Sequence, residues 1–324
     1  MKAVFLDSQT FSSNISMVAI EQQVAQLTCY STTTTEQVFE RCQGAEIVIT
    51  NKVVLTAETL AKLPQLKLIC IAATGFNNVD IAAASKHNIA VTNVSGYAGN
   101  SVAQYVLAQI LEYYQQTCHH NANTQQGNWQ KSEIFCYHGN GITELAGKTL
   151  GIVGYGNLGQ AVAKLAKAFG MRILISERPN SDNIRQGKVS FEHVVAQADI
   201  LSLHCPETAN TKNLINANVL TKMKSTAMLI NTARGALINS TDLLSALNSK
   251  QIAYAVLDVL EQEPPPTAHP LLIALQENHL DNLKITAHIA WASNEAQQRL
   301  IDLLSENIAA FNQGERLNRL DSTT

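Results

Sequence analysis

A glycine-rich turn between an apolar run and a helical pattern constrains this chain more than any other feature of its sequence. The run Thr149–Val153 is largely apolar, and three glycines follow it in the pattern Gly154-x-Gly156-x-x-Gly159. Behind them, apolar residues recur at helical spacing, namely Leu158, Val162, Leu165, Ala166 and Phe169. We therefore predict a strand, a tight glycine turn and a helix, in that order.

Such a turn can bring the N-terminus of a helix, with its free N–H groups and partial positive charge, against a pyrophosphate. The first glycine would permit the turn, the second would let the pyrophosphate approach, and the third would let helix and strand pack closely. The glycine spacing alone is a weak signal, because a purely structural turn would also explain it. Glu177, at the end of the next apolar run, adds a carboxylate where a ribose-binding acid is expected. Together these features indicate a dinucleotide-binding site.

Length and composition limit the class of protein. The chain has 324 residues, of which 46% are apolar, and its net charge is −3. That length suits two domains, each with its own core, and the charge does not indicate nucleic-acid binding. The apolar runs are too short to span a membrane, and the N-terminus is typical of a first strand rather than of a signal peptide.

The cysteines indicate a reducing compartment, because they lie far apart without a C-x-x-C pair. They are Cys29, Cys42, Cys70, Cys118, Cys136 and Cys205. We expect a cytoplasmic protein with reduced thiols. Cys118, Cys136 and the nearby histidines could be imagined as metal ligands, these histidines being His119, His120 and His138. Adjacent histidines on a helix point in different directions, and no ligand pair has zinc-finger spacing, so we expect no metal.

Apolar runs alternate with helical segments along residues 1–97. The predicted strands are Lys2–Asp7, Glu46–Thr50, Leu66–Ala73 and Ile89–Val94, and the predicted helical segments are Ser16–Ala25, Ala57–Leu63 and Ile81–Lys86. This alternation is typical of a parallel sheet covered on both faces. Ligands bind beyond the carboxyl ends of such strands, so the loop Thr74–Asp80, which follows the third predicted strand, is a candidate binding loop.

A predicted helix, Ser101–Cys118, and a polar stretch over residues 119–140 separate this region from a second series of strands. We expect Trp129 and Phe135 of the polar stretch to be buried at a domain or subunit contact. The six strands predicted in the second series are Thr149–Val153, Met171–Ile175, Ile200–His204, Ala227–Thr232, Ala253–Val259 and Leu283–Ala287. They would complete a doubly wound nucleotide-binding domain.

Two helices of the second half have clear sequence signals. Asp242–Leu247 is predicted to be helical, with Ser240 as a candidate N-cap. The last helix is predicted at Asn294–Phe311. Since the nucleotide-binding domain begins and ends within the chain, we expect this last helix to return to the first domain.

Three polar side chains follow strand ends of the second series. They are Arg234, Glu263 and His288. Gly235 would let the chain turn after the arginine. Each side chain has an ordinary structural explanation: an interdomain ion pair, a capping acid and a hydrogen-bonded core histidine. Their convergence on the sheet edge where a dinucleotide would lie favours a catalytic site.

Seven segments in one order, covering nearly the whole chain, resemble those of the NAD-dependent D-2-hydroxyacid dehydrogenase family. They are ATGFNNVD, SVAQ, GKTLGIVGYGNLG, LHCPET, NTARGALIN, LDVLEQEPP and TAHIAW. The segments ISERPNS, GNWQKSEIFCYH and TAHIAWAS are most similar to the glycerate dehydrogenase/hydroxypyruvate reductase branch.

The resemblance implies an α/β fold of two doubly wound parallel-sheet domains with an active-site cleft between them. A discontinuous flavodoxin-like substrate domain would comprise residues 1–98 and 291–324, and a Rossmann NAD-binding domain residues 99–290. The family usually forms homodimers, so a homodimer is expected.

The resemblance also implies roles for individual residues. The catalytic residues would be Arg234, Glu263 and His288. The cofactor contacts would be Thr74, Gly154, Gly156, Asn157, Leu158, Gly159, Glu177, Cys205, Pro206, Thr232, Ala233, Arg234, Asp258 and His288. We predict NAD rather than NADP, because Glu177 would accept from ribose hydroxyls and repel a 2′-phosphate. Arg178 leaves NADP open as an alternative, since its guanidinium could reach a phosphate.

These residues suggest a mechanism. Arg234 would bind the substrate carboxylate or its C2 oxygen, together with backbone N–H groups of the segment Thr74, Gly75 and Phe76. His288 would exchange a proton with the C2 oxygen during hydride transfer, and Glu263 would hold the imidazole tautomer. Asp258 would fix the nicotinamide carboxamide.

The predicted reaction is the reduction of hydroxypyruvate to D-glycerate, or of glyoxylate to glycolate. Two alternatives stay open. One is a related dehydrogenase for another 2-keto acid, such as phosphohydroxypyruvate or pyruvate. The other is a non-catalytic NAD-sensing protein on the same fold.

Overall fold

A computed structural model of the chain describes residues 1–181, 183–277 and 279–321. The chain divides into two compact units. The first comprises Met1–Ala98 and Trp291–Thr324, and the second comprises Gly99–Ala290. Each unit contains one parallel β-sheet with helices in its connections, so the predicted α/β class is confirmed.

The sheet of the first unit has five strands in the order β2-β1-β3-β4-β5, which is the flavodoxin-like order. The strands are β1 (Lys2–Phe5), β2 (Gln26–Cys29), β3 (Ile47–Thr50), β4 (Leu68–Ile71) and β5 (Ala90–Thr92). The early helices are α1 (Val18–Glu21), α2 (Val38–Cys42), α3 (Ala57–Ala61) and α4 (Ile81–Lys86), with 3₁₀ turns at Ser8–Thr10 and Thr35–Gln37.

Burial explains which strands of this sheet the sequence predicts. Every residue of β3 and β4 is buried, so β4 is a continuous apolar run and β3 is apolar except for its last residue, Thr50. The edge strand β2 has no buried residue and no apolar run, and it is absent from the predicted strands. The predicted helix Ser16–Ala25 is wrong at its C-terminal end, because the helix ends at Glu21 and β2 follows soon after.

The last helix, α12 (Asn294–Asn312), packs within the first unit. Ser293 caps it by accepting a hydrogen bond from the N–H of Ala296 at 3.2 Å. Ser305 Oγ donates to the carbonyl oxygen of Ala19 at 2.7 Å, which ties α12 to the α1 segment. The helix buries an apolar stripe that includes Leu300, Leu304 and Ile308.

The sheet of the second unit has six parallel strands in the order β11-β10-β9-β8-β6-β7. The strands are β6 (Thr149–Val153), β7 (Arg172–Ile175), β8 (Ile200–Leu203), β9 (Met228–Asn231), β10 (Tyr254–Leu257) and β11 (Leu283–Ile285). The helices are α5 (Gly99–Gln115), α6 (Thr117–Gln125), α7 (Asn157–Ala168), α8 (Phe191–Gln197), α9 (Ala217–Leu220), α10 (Ser240–Asn248) and α11 (Pro270–Gln276), with a 3₁₀ turn at Gly235–Leu237. The order of the strands reverses beside β6, and such a reversal is the usual place for a ligand.

Two details of this unit differ from the predictions. Helix α6 occupies part of the stretch predicted to be irregular; it has no buried residue, so it leaves no apolar periodicity in the sequence. Helix α10 is capped by Asn239, whose Oδ1 accepts from the N–H groups of Thr241 and Asp242 at 3.1 Å each. Ser240 is therefore the first helical residue rather than the cap, and its hydroxyl donates to Glu261.

Candidate active site

The glycine turn joins β6 to α7 at the carboxyl edge of the second sheet. Gly154 has a φ of +98°, in the left-handed region, and a Cβ there would lie 2.4 Å from the backbone nitrogen of Cys205. A Cβ at Gly159 would lie 2.2 Å from the carbonyl oxygen of Gly154. Near Gly156, by contrast, no heavy atom lies within 4 Å of where a Cβ would be. Packing therefore requires the outer two glycines, and the middle one faces open space.

The N-terminus of α7 can receive an anion. Its N-cap is Gly156, which has no side chain with which to bond the N–H groups of the first turn. Asn157 and Leu158 begin this 12-residue helix. At the end of β9, Thr232 Oγ1 is buried and has no hydrogen-bond partner among the described residues. Open space, uncapped N–H groups and an unsatisfied buried hydroxyl at one sheet edge fit a bound dinucleotide.

Glu177 lies level with the glycine turn on the neighbouring strand. Ile152 pairs with Ile175, so Gly154 and Glu177 each follow a paired residue by two positions. The Glu177 side chain is only 2% exposed. Its Oε1 accepts from the backbone N–H of Arg178 at 2.8 Å and from the Arg185 guanidinium, and its Oε2 accepts from Arg185 Nε at 2.7 Å and from the Arg185 N–H at 3.2 Å. These bonds, above all those from the Arg185 side chain, hold the pKa of the Glu177 carboxyl far below its usual range.

This arrangement corrects the predicted role of Glu177. The sequence predicts that its carboxylate accepts hydrogen bonds from ribose hydroxyls. A carboxylate has about four acceptor sites, and four donors of the protein already engage those of Glu177. The residue lies at the predicted strand end, but its carboxylate organises the loop that follows, and ribose hydroxyls would have to displace Arg185.

Asn231 shapes the loop that carries Arg234. It is fully buried at the end of β9, its Nδ2 donates to the carbonyl oxygen of Arg234 at 2.8 Å, and its Oδ1 accepts from the N–H of Ala233 at 3.0 Å. Arg234 is half-buried, and its Nη1 donates to the carbonyl oxygen of Ala233 at 2.6 Å. Within the described part of residues 99–290 no carboxylate forms an ion pair with Arg234. Its charge is therefore available to an anionic ligand.

Gly235 brings the arginine loop against the loop after β10. A Cβ at this position would lie 1.8 Å from the carbonyl carbon of Leu260. The chain turns here as expected, since Gly235 begins the 3₁₀ turn Gly235–Leu237, but its φ is not positive, so the close approach of two backbones is what excludes a side chain. The N–H of Leu260 donates in turn to Glu263 Oε1 at 3.0 Å. These contacts link the positions of Arg234 and Glu263.

His288 and Glu263 form a close pair. His288 Nδ1 lies 2.5 Å from Glu263 Oε2. A carboxylate at Nδ1 holds the proton on that nitrogen and leaves Nε2 for another partner. The side chains are 27% and 34% exposed, respectively, so a ligand can reach the pair.

Asp258 holds the turn on which His288 lies. The backbone of His288 has a φ of +54°, which is unfavourable for a residue with a side chain, and its N–H donates to the carbonyl oxygen of Asp258 at 2.7 Å. The buried Asp258 carboxylate accepts from the N–H groups of Ile289 and Ala290 at 2.9 and 2.8 Å and from the Thr286 hydroxyl at 2.5 Å. In addition to the cofactor contact predicted for it, Asp258 therefore has a structural function.

Two residues that help to position the site, Asn231 and Tyr105, are not among the site residues predicted from the sequence. Asn231 lies inside a quoted motif, and its polar side chain at the end of an apolar strand was the available signal. Tyr105 on α5 places its hydroxyl 2.6 Å from Thr286 Oγ1, and burial raises the pKa of Tyr105 to about 12, so the phenol stays neutral. These partners lie 181 positions apart, and no local pattern connects them.

Cys205 and Pro206 follow β8 at the same sheet edge. Burial raises the pKa of the Cys205 thiol to about 11, so the thiol is protonated at neutral pH. The preceding His204 is kept neutral because burial lowers its pKa to about 4, and its Nε2 lies 2.9 Å from Ser202 Oγ. The cofactor contacts predicted for Cys205 and Pro206 stay a prediction.

The predicted contacts Thr74, Gly75 and Phe76 lie in the first unit, after β4. Thr74 Oγ1 donates to the carbonyl oxygen of Val94 at 2.9 Å, and Asn93 Nδ2 donates to that of Thr74 at 2.8 Å. These bonds tie the loop to the segment after β5. Phe76 is exposed. Ligand contacts of this loop stay a prediction.

Metal and membrane features can be judged for the described part of the chain. Over residues 1–181, 183–277 and 279–321, no three or more His, Cys, Asp and Glu side chains group as a metal site would require. None of the helices in those ranges combines the length and apolarity needed to cross a membrane. All six cysteines are unpaired.

Comparison with known proteins agrees with this geometry. Residues 107–290 match the family model described as D-isomer specific 2-hydroxyacid dehydrogenase, NAD binding domain. The chain is 41% identical to a glycerate dehydrogenase of Methylorubrum extorquens, with 99% of each chain covered. It is 36% identical to a hydroxypyruvate reductase of Blautia hydrogenotrophica, with 89% of this chain and 88% of the relative covered.

A solved structure has the same fold. The TT0316 protein from Thermus thermophilus superposes with a TM-score of 0.81 at 30% sequence identity. The match covers 99% of this chain and 100% of that one.

Proposed function

The chain belongs to the D-isomer-specific 2-hydroxyacid dehydrogenase family, and from that premise we propose that it reduces hydroxypyruvate to D-glycerate with NADH. Glyoxylate would be its second substrate. The observation that carries the proposal is the His288–Glu263 pair, with 2.5 Å between Nδ1 and Oε2, at the edge of the sheet that bears the glycine turn. An accessible imidazole held by a carboxylate is suited to acid–base chemistry on a small oxygen substrate.

Each side chain of the site has a task in this reaction. A nicotinamide cofactor, which the glycine turn, the N-terminus of α7 and Thr232 would hold, would supply the hydride chemistry at C2. Arg234 binds the substrate carboxylate or the C2 oxygen with its planar fork. In the reduction, His288 in its doubly protonated form donates the Nε2 proton to the C2 oxygen and becomes the neutral Nδ1–H tautomer, which Glu263 holds. Asp258 keeps His288 in place through the turn at residues 286–290.

The charges around the site favour a small substrate without a phosphate group. The segments NTARGALIN, LDVLEQEPP and TAHIAW contain one basic residue of the Lys/Arg type, Arg234. One guanidinium suits one carboxylate and its neighbouring oxygen, whereas a phosphorylated substrate needs further cations. The names of the two relatives, glycerate dehydrogenase and hydroxypyruvate reductase, agree with a small acid.

A panel of 2-keto acids tests the substrate. We expect kcat/KM to be highest for hydroxypyruvate and next for glyoxylate, ahead of pyruvate, phosphohydroxypyruvate and a branched 2-keto acid. Oxidation of D-glycerate against L-glycerate serves as the stereochemical control, and the D isomer should react. If the phosphorylated or branched acid leads by tenfold, about 1.4 kcal/mol of transition-state preference, the proposed substrate is wrong. Binding of NADH without turnover of any acid would instead identify an NAD-sensing protein.

The organisation of the chain completes the proposal. Residues 1–98 and 291–324 would form the substrate domain, and residues 99–290 the NAD-binding domain. The match of the NAD-binding model to residues 107–290 supports the second assignment. Six unpaired cysteines support a cytoplasmic location.

A homodimer is the proposed assembly, formed through an arm that we define as residues 127–142. Large apolar side chains are exposed in this arm, namely Trp129, Ile134, Phe135, Tyr137 and Ile142. Phe135 is 91% exposed, so the burial expected for it is not provided by its own chain. The arm has one lysine and one glutamate among its residues, and aromatic enrichment with few charges is typical of interface cores.

Measurement of the mass in solution tests the assembly. The chain has a mass of 35.2 kDa, and light scattering after gel filtration should give twice this value. Phe135→Ser should shift the mass toward that of the monomer, because it removes the most exposed aromatic side chain of the arm. Phe39→Ser, at an exposed aromatic residue of α2 in the first unit, is the control and should stay dimeric. A monomeric wild-type protein would contradict the proposal.

A further inference from the structure

We propose that Arg185 sets the choice between NADH and NADPH, by occupying the carboxylate of Glu177 that would otherwise repel a 2′-phosphate. The expected consequence is that this chain binds NADPH about as well as NADH. The proposal concerns binding of the cofactor and needs no particular keto acid. If the proposed substrate is wrong, the proposal about cofactor binding is therefore unaffected.

A carboxylate at this strand end normally favours NAD for two reasons. Its oxygens accept hydrogen bonds from the ribose hydroxyls, and its charge opposes a 2′-phosphate. Both effects require carboxylate oxygens that are unoccupied and not paired with a cation. By sequence alone, Glu177 meets that description.

The contacts of Arg185 remove both effects. Arg185 Nε lies 2.7 Å from Glu177 Oε2, and its terminal guanidinium nitrogen donates to Oε1, so the fork engages both oxygens. The guanidinium compensates the negative charge, and Lys188 Nζ lies 3.9 Å from Oε1 as a second cation. Since Glu177 is buried and Arg185 is 51% exposed, a ligand at this edge meets the cation more readily than the carboxylate.

The loop after β7 holds this contact in place. The N–H of Glu177 donates to the carbonyl oxygen of Val189 at 2.8 Å, and the N–H of Val189 donates to that of Ile175 at 3.0 Å. The chain therefore returns beside β7, where Ser176 and Val189 form a parallel bridge. The backbone N–H of Arg185 also bonds Glu177 Oε2, at 3.2 Å. Main chain and side chain of Arg185 thus act on the same carboxylate.

The charge of the loop suits a phosphate. Residues 177–188 contain three basic and two acidic side chains, so the segment has a formal charge of +1. Arg178, directly after Glu177, is exposed. Guanidinium groups bind phosphate oxygens with strong, charge-assisted hydrogen bonds. A 2′-phosphate at this edge would meet a compensated carboxylate beside an exposed arginine.

The test is a pair of dissociation constants, for NADH and NADPH, measured by nicotinamide fluorescence without any keto acid. For the wild-type protein we expect the two constants to agree within about tenfold, or 1.4 kcal/mol. Arg185→Gln frees the Glu177 carboxylate, and the ratio of the NADPH constant to the NADH constant should rise by about tenfold or more. Arg172→Gln, at an exposed arginine where β7 begins, is the control and should leave the ratio unchanged.

A second variant tests whether Arg185 acts by compensating the charge of Glu177, rather than by shaping the loop or by binding the phosphate directly. Adding Glu177→Gln to Arg185→Gln removes the charge that Arg185 compensates, so the double variant should return to the wild-type ratio. Binding of adenosine 2′,5′-bisphosphate, compared with binding of ADP, should rank the variants in the same order. Neither ligand contains the nicotinamide. The proposal is overturned if Arg185→Gln weakens both cofactors equally, if the double variant keeps the raised ratio, or if the wild-type protein prefers NADH by more than tenfold.

Discussion

Replacing His288 with alanine is expected to lower kcat for reduction of the keto acid by about 10²–10⁴-fold, the usual contribution of a general acid. The physical reason lies in the pair with Glu263, which holds the Nδ1 proton, so that the second proton of the doubly protonated ring, on Nε2, is the one delivered to the C2 oxygen. Alanine removes that donor, and the C2 oxygen must then take its proton from water. Nothing in the glycine turn changes, so the dissociation constant for NADH should stay close to the wild-type value.

The measurement is steady-state kinetics with hydroxypyruvate, combined with fluorescence titration of NADH. His193→Ala is a matched control, because His193 is an exposed histidine on α8. Glu263→Gln should fall between His288→Ala and the wild-type protein, since an amide can still accept from Nδ1 but brings no charge. Full activity of His288→Ala would refute the assignment of the proton donor.

Replacing Arg234 with lysine is expected to lower kcat/KM by about 10²–10³-fold, the loss typical of removing one donor to a developing oxyanion. Lysine keeps the charge but lacks the planar fork that can bind two oxygens at once. The Arg234 side chain is set in place by Asn231, which bonds the backbone on both sides of the Ala233–Arg234 peptide. A flexible ammonium on the same loop would not reproduce that geometry.

The kinetic constants show which atom Arg234 binds. If it binds the carboxylate equally well in ground state and transition state, Arg234→Lys raises KM. If it polarises the C2 oxygen, kcat falls. Arg172→Lys, on β7, is the control and should leave both constants unchanged. Near-normal kinetics for Arg234→Lys would mean that Arg234 has a structural role only.

Much of the fold can be predicted from the sequence because of how parallel strands are buried. Strands covered by helices on both faces are rich in apolar residues, so β4 is an uninterrupted apolar run and β6 is largely apolar. Where burial is missing, the signal is missing too, as at the edge strand β2 and the polar helix α6. Both of these elements depend on neighbours that no local pattern reveals.

The location of the candidate site also follows from the sequence. Parallel strands end at one edge of their sheet, so residues that follow strand ends must gather there. Arg234, Glu263 and His288 could be selected for this reason, together with the glycine turn. The family resemblance agrees with the same positions.

The partners of each side chain were decided by the tertiary structure. Gly235 lies against Leu260, Asp258 holds the turn of His288, and Tyr105 reaches Thr286 across 181 positions of the chain. Glu177 is the clearest case, because its strand-end position suggests a ribose ligand, whereas the returning loop brings Arg185 onto its carboxylate. A sequence pattern predicts the position of a residue at the end of a strand, but its hydrogen-bond partners depend on which backbone segments fold back beside it. That return is a property of the folded chain, since it requires the neighbouring segments to be packed first.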